Sequence, residues 1–174
     1  QISIIMPVYN TDKYLRRTLD ALVNQTFTDI EIIAIDDGST DDSLKILNEY
    51  AERDSRVVVI TQKNSGPATA RNKGLDAATG KYLMFCDSDD WYEPNMCQVM
   101  FDTIEKQKTD LVMCRPFCDV DSNLSKKERK MRTNIIKYLN PRQRGKQQLT
   151  SKNILGINVM LWNKIWRMDI IRKY

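Results

Sequence analysis

"KYLMFCDSDDW", Lys81 to Trp91, joins an apolar run, Tyr82 to Cys86, to three carboxylates within four positions, Asp87, Asp89 and Asp90. A short apolar run closed by turn-forming residues reads as a strand buried on both faces. Like charges this close repel, so a buried strand that ends in three of them calls for a positive partner. In an extended segment residues i and i+2 point the same way, so Asp87 and Asp89 can face one ligand.

The same unit recurs upstream. Ile2–Val8, Ile30–Ile35 and Val57–Ile60 are apolar runs. Between them lie helical patterns: Leu15, Leu19, Leu22 and Val23, then Leu44, Ile46, Leu47 and Tyr50. Asn10 or Thr11, and Ser39 or Thr40, are expected as N-caps. Pro67 opens a third helix, which Gly80 stops, and Pro94 opens a fourth, with Met96, Val99, Met100 and Ile104. Leu111–Cys114 is a fifth strand. Strict alternation of apolar strands with helices predicts an α/β fold, a mostly parallel sheet with helices on both faces. Residues 1–118 form this unit, and 119–174 are a further partial segment. Within it, 123–148 reads as a mobile basic loop, Val159–Trp162 as a strand with Ile165 and Trp166 at its exit, and Asp169 as the N-cap of a last helix.

Composition narrows the chemistry. Histidine is absent, so acid–base work falls to carboxylates, Lys, Tyr or Cys. The cysteines Cys86, Cys97, Cys114 and Cys118 show no Cys-x-x-Cys spacing, and Cys86 and Cys114 lie in apolar runs as small buried hydrophobes, which fits a reducing compartment. No run approaches the roughly 18–20 apolar residues of a membrane span, and the start shows no signal-peptide pattern. Residues 1–118 carry 13 basic and 19 acidic side chains, whereas 119–174 carry 14 and 4. The basic stretch Lys126–Lys146 suits an anionic membrane surface or a phosphate-bearing ligand. It lacks the interleaved aromatics of a nucleic-acid surface, and no nucleic-acid partner is expected.

In open parallel sheets ligands bind at the carboxyl ends of strands. Those ends hold "PVYN" (7–10), "DDGSTD" (36–41), "QKNSGPATARN" (62–72) and "DSDD" (87–90). No Gly-x-x-x-x-Gly-Lys-Ser/Thr loop and no Gly-x-Gly-x-x-Gly follows the first strand, so phosphate charge must be met otherwise. A divalent cation between carboxylate and phosphate oxygens is the natural means.

"IIMPVYN" (4–10), "IDDGSTDDS" (35–43), "NSGPATARNKG" (64–74) and "FCDSDDW" (85–91) together resemble family-2 glycosyltransferases of the GT-A fold, in the family's order and spacing. "LWNK" (161–164) is similar to a segment of the family's acceptor half. The resemblance implies a Rossmann-like GT-A domain of an inverting enzyme. It would take a UDP-sugar with Mn²⁺ or Mg²⁺ and pass the sugar to a saccharide or lipid-linked saccharide in bacterial cell-surface polysaccharide synthesis. The setting would be cytoplasmic, peripheral on the inner face of the membrane.

The resemblance also assigns residues. Pro7, Val8 and Tyr9 would line the nucleobase pocket. Asp37 would bond a uracil edge, supported by Asp36. Asn64 and Gly66 would shape the nucleotide loop, and Arg71 would sit by base and diphosphate. Asp87 and Ser88 would meet the donor, Asp87 at the ribose, and Asp89 would bind the metal. Asp90, Trp91, Trp162 and Lys164 would face the acceptor side. Asp41 reads instead as a turn and helix cap. The family's general base, an acidic residue downstream of the "LWNK"-like segment, has no counterpart but Asp169 before Tyr174, and is expected beyond Tyr174. A metal-dependent nucleotidyltransferase and a non-catalytic nucleotide-sugar-binding module are the alternatives; the first would need a basic phosphate loop after the first strand, which "PVYNTDKYL" lacks.

Overall fold

The computed structural model describes residues 1–114, 161 and 163–173. The expected mobile loop at 123–148, Cys118, the stretch Val159–Met160 and Trp162 lie outside the described residues.

The alternation in the sequence becomes β1 (Ile2–Val8), α1 (Asp12–Val23), β2 (Ile30–Asp36), α2 (Ser43–Arg53), β3 (Val57–Thr61), α3 (Pro67–Ala77), β4 (Tyr82–Phe85), α4 (Met96–Gln107) and β5 (Leu111–Met113). After the undescribed stretch come β6 (Lys164–Arg167) and α5 (Met168–Lys173). One sheet runs in the order β3-β2-β1-β4-β6-β5. β1 pairs in parallel with β2 and β4, and β2 with β3, whereas β6 lies antiparallel between β4 and β5. The sheet is therefore mostly parallel, as the pattern predicts.

Strand periodicity sorts the core into two layers. Ile2, Ile4, Met6, Ile32, Ala34, Tyr82 and Met84 pack under α1, α2 and α4 with Leu15, Leu19, Ile46, Leu47, Met100 and Ile104. Ile5, Ile33, Ile35, Leu83 and Phe85 face the other way, toward Ala70, Ala78 and Met168. Burial on both faces is what demands continuous apolar strands. α3 approaches the sheet so closely that a Cβ on Gly74 would lie 2.5 Å from Ile5 Cγ2 and 2.7 Å from Ile35 Cδ1.

Thr11 is the N-cap of α1, one of the two residues expected there, whereas Asp42, and not Ser39 or Thr40, is that of α2; neither side chain bonds its own helix. Instead the loop after β2 caps α1: Ser43 Oγ accepts from Thr11 N–H, and Asp41 Oδ2 from Asp12 N–H. Asp41 Oδ1 also accepts from Ser43 N–H, so this carboxylate caps both helices, as the turn-and-cap reading expects. Ser39 and Asn10 complete the latch: Asn10 N–H donates to Ser39 Oγ, and Thr40 N–H to Asn10 Oδ1.

The last strand also begins later than its apolar residues suggest. Leu161 lies outside it, and Ile165–Trp166, expected as an exit, are its centre. Asn163 sets the start, because its amide donates to Cys114 O (3.1 Å) while its carbonyl accepts from Cys114 N–H (3.0 Å). Asp169 is not the cap of α5 but its second residue, paired with Arg167. Among the described residues no helix is long and apolar enough to cross a membrane.

Candidate functional site: a cleft at the switch point of the sheet

The chain winds from β1 through β2 to β3, then returns to place β4 on the other side of β1. Loops leaving β1 and β4 therefore diverge, and a crevice opens at their carboxyl ends. The structure places a cleft of about 480 Å³ there. Pro7, Val8, Tyr9, Asp37, Asn64, Gly66, Arg71, Asp87, Ser88 and Asp89, named from separate stretches of sequence, line it together with Pro67. A smaller hollow of about 270 Å³, between the starts of α1 and α2, mixes Lys13, Arg16 and Lys45 with Asp12 and Asp42 and holds none of these residues.

Asp37 anchors the cleft floor and is 3% exposed. Its Oδ1 accepts from Gln62 Nε2 (2.7 Å) and Ser65 N–H (2.8 Å), and its Oδ2 from Gly66 N–H (2.8 Å). Burial pushes this carboxyl up, yet the three donors outweigh it and hold the group below its ordinary value. Gly66 turns its amide inward at φ +87°, a conformation that favours glycine. Asp36 is buried beside it, but its carboxylate accepts from Ser39 N–H (3.3 Å) and braces the turn instead of lining the cleft.

Across the cleft Arg71 Nη2 meets Asp87 Oδ1 at 2.6 Å, while Arg71 Nε is buried with no hydrogen-bond partner. This guanidinium answers one of the three acidic charges. Asp89 is exposed and makes no hydrogen bond or ion pair among the described residues. Asp90 is half-buried, and burial, then the charges of Asp89 and Asp87, push its carboxyl up to about 6.

The donor set can be tested for a divalent metal. No cluster of three or more Cys, Asp or Glu among the described residues could cage an ion. Magnesium-like ions, however, are held by one or two carboxylates plus substrate phosphates. An open carboxylate at Asp89, next to a cleft with a buried, unsatisfied guanidinium nitrogen, fits an ion that arrives with a diphosphate.

The expected acceptor-side residues separate. Trp91 has Arg17 of α1 over its ring, 3.5 Å from the centroid. Lys164 is 2% exposed, with Nζ 2.7 Å from Asn163 Oδ1, and does not line the cleft. Burial lowers its amine to about 8 against a smaller opposing effect of Cys114. Asp169 stands at the wrong edge for an acceptor base: β6 runs antiparallel to β4, so α5 starts where Met168 N–H meets Lys81 O, at the amino end of β4. The thiols of Cys86 and Cys97 are pushed up by burial, Cys97 to about 12, which removes them as nucleophiles.

Two contributors escaped the sequence reading. Gln62 lies just past β3 and holds Asp37. Thr18 sits in the apolar stripe Leu15, Leu19, Leu22 of α1, and a buried hydroxyl in such a stripe must find an acceptor.

A family model for glycosyl transferase family 2 matches residues 3–171. This chain belongs to glycosyl transferase family 2. EpsH of Bacillus subtilis (strain 168) is 37% identical over 175 residues, 99% of this chain and 48% of the relative. The S. aureus TarS 1-349 structure in complex with UDP-GlcNAc superposes with a TM-score of 0.74 at 25% identity, covering 99% of this chain and 47% of that one. The Pyrobaculum calidifontis mannosyltransferase PcManGT, in complex with GDP-Man and Mn²⁺, shares the fold at a TM-score of 0.58 and 22% identity, over 65% of this chain and 34% of its own. The chain spans about half the length of the curated relative and of the TarS chain.

Proposed function

We propose that this family-2 domain binds a UDP-sugar together with Mn²⁺ or Mg²⁺ and transfers the sugar, with inversion, to a saccharide or lipid-linked saccharide hydroxyl in bacterial cell-surface polysaccharide synthesis. The observation that carries the reading is the meeting of four separate motifs in one switch-point cleft, with a carboxylate held by three donors on its floor and an open one, Asp89, at its rim. The UDP-GlcNAc bound to TarS supports a uridine donor.

In this reading Pro7, Val8 and Tyr9 flank the nucleobase. Asp37 keeps acceptor capacity on Oδ2, which carries one donor, and takes the uracil N3–H there. Asp87 meets the ribose, and Arg71 turns its unsatisfied Nε toward the diphosphate. A divalent ion on Asp89, once bound, neutralises the charge that builds on the departing diphosphate. The acceptor oxygen forms its bond to the sugar carbon as the bond to the diphosphate breaks, and its proton passes to a carboxylate. Asp169, at the far edge of the sheet, is not placed to take it. The basic stretch Lys126–Lys146 would meet an anionic membrane surface or acceptor from the cytoplasmic side.

Calorimetric titration of UDP in Mn²⁺ and in EDTA tests the reading. Mn²⁺ should strengthen UDP binding, and Asp89→Ala should abolish the gain without lowering thermal stability. Equal affinity of the wild type in the two buffers would refute the metal site.

A further inference from the structure

The acidic turn is held from beneath by α1, at a residue the donor-site reading leaves unused. Thr18 is 1% exposed. A threonine inside a helix ordinarily turns its hydroxyl back to the carbonyl four residues earlier. Here that carbonyl, Tyr14 O, is 3.5 Å away, while Oγ1 lies 2.7 Å from Asp90 O and 3.0 Å from Ser88 O. The tertiary acceptors have displaced the local one. A hydroxyl has a single hydrogen, so the two carbonyls share it, and these are the carbonyls on either side of Asp89. Ser88 is itself buried, which denies its carbonyl an easy replacement by water.

Among the described residues other contacts also support the turn, and Arg71 Nη2 reaches Asp87 Oδ1. Asp90 N–H donates to Asp87 O (3.1 Å) and closes the turn, and Tyr92 Oη donates to Phe85 O (2.6 Å) and closes the loop around it. The Arg17 guanidinium covers Trp91, one helical position from Thr18. Thr18 is the point at which a secondary-structure element fixes the backbone on both sides of the open carboxylate.

We propose that Thr18 is a positioning residue for the acidic turn: its hydroxyl holds the carbonyls of Ser88 and Asp90 so that the Asp89 carboxylate faces the cleft. The proposal rests on the reading of Asp89 as the ligand of a divalent ion that arrives with the nucleotide. Loss of the hydroxyl leaves both carbonyls without this donor, and the peptide units that carry them, one entering Asp89 and one leaving Asp90, turn to find water. Metal-dependent affinity then falls. Metal-independent affinity holds, because the floor built by Asp37, Gln62, Ser65 and Gly66 is untouched.

The test is UDP affinity by calorimetry, in Mn²⁺ and in EDTA, for the wild type, Thr18→Val and Thr18→Ser. Valine keeps the shape and removes the donor; serine keeps the donor. We expect Thr18→Val to cut the Mn²⁺ enhancement about tenfold, the effect of losing one buried hydrogen bond, with affinity in EDTA unchanged. Thr18→Ser should retain the enhancement even if it melts earlier. A Thr18→Val protein with the wild-type enhancement overturns the proposal, as does one that loses affinity equally in both buffers, or a Thr18→Ser protein that loses the enhancement. Should Thr18→Val not fold, Thr18→Ala stands in its place under the same criteria. A wild type with no enhancement overturns the metal reading and this proposal together, whereas failure of the proposal alone leaves the wild-type enhancement in place.

Discussion

Asp37→Asn separates a carboxylate that is only polar from one that must accept on both oxygens. Three donors converge on the group, Gln62 Nε2 and Ser65 N–H on Oδ1 and Gly66 N–H on Oδ2. An asparagine has one acceptor oxygen and one donor nitrogen. With its oxygen at the Oδ1 site, its NH₂ faces Gly66 N–H. With the amide flipped, the NH₂ faces Ser65 N–H, and Gln62 alone can adapt by turning its own amide. Each arrangement leaves one part-buried backbone N–H facing a donor, which costs up to about 1–3 kcal/mol. The two bonds that remain lose their charge assistance, so a total of about 2–4 kcal/mol follows. In a chain of this size each 1 kcal/mol lowers Tm by roughly 2–4 °C.

The pH dependence carries a sign of its own. The Asp37 carboxyl is held below its ordinary value in the folded protein, so its stabilisation is present above that value and is lost as pH falls through the folded one. Urea unfolding at pH 7.5 should therefore show the full deficit of Asp37→Asn, and the gap to wild type should narrow below about pH 4. A variant as stable as wild type at pH 7.5 would refute the argument that both Asp37 oxygens must accept. A deficit that persists undiminished in acid would assign the cost to shape instead of charge.

UDP should bind about tenfold or more tightly than CDP, because cytosine N3 offers Asp37 a lone pair where uracil offers a proton; equal displacement of a fluorescent UDP analogue by CDP would contradict this. Glu31→Gln should destabilise the fold by about 1–3 kcal/mol at neutral pH without touching UDP affinity, since Glu31 Oε1 gathers Ser3 Oγ, Thr79 N–H, Thr79 Oγ1 and Gly80 N–H at the edge of the sheet away from the cleft; paired urea melts and UDP titrations check both halves. The Lys164 amine should titrate near 8 by NMR of its Cε, and stability should rise with pH from there toward the ordinary lysine value because the unfolded chain binds the extra proton; a Lys164 titrating with the surface lysines would remove its burial as the cause.

Periodicity alone determined five of the six described strands to within a residue or two and four helices, because burial on both faces forces continuous apolar strands and one-sided packing forces helical stripes. It also placed the chemistry, since polar residues at the carboxyl ends of parallel strands have only the crevice to face, and Asp37, Arg71, Asp87 and Asp89 all line it. The sequence marked Asp41 as a cap and Asp36 as a support of Asp37, but it could not name the amides each would hold, which come from residues 3 positions away in one case and 29 in another. Nor could it set the direction of β6. An antiparallel return between β4 and β5 carries Lys164 to the carboxyl end of β4, where the core swallows it, and sends Asp169 to the opposite edge. Strand direction in a sheet is chosen by pairing partners far apart in the chain, and no local pattern encodes it. The hydroxyl of Thr18 belongs to the same class: sequence shows that a buried hydroxyl must find an acceptor, and only the packing of α1 against the loop after β4 shows that the acceptors are the two carbonyls around Asp89.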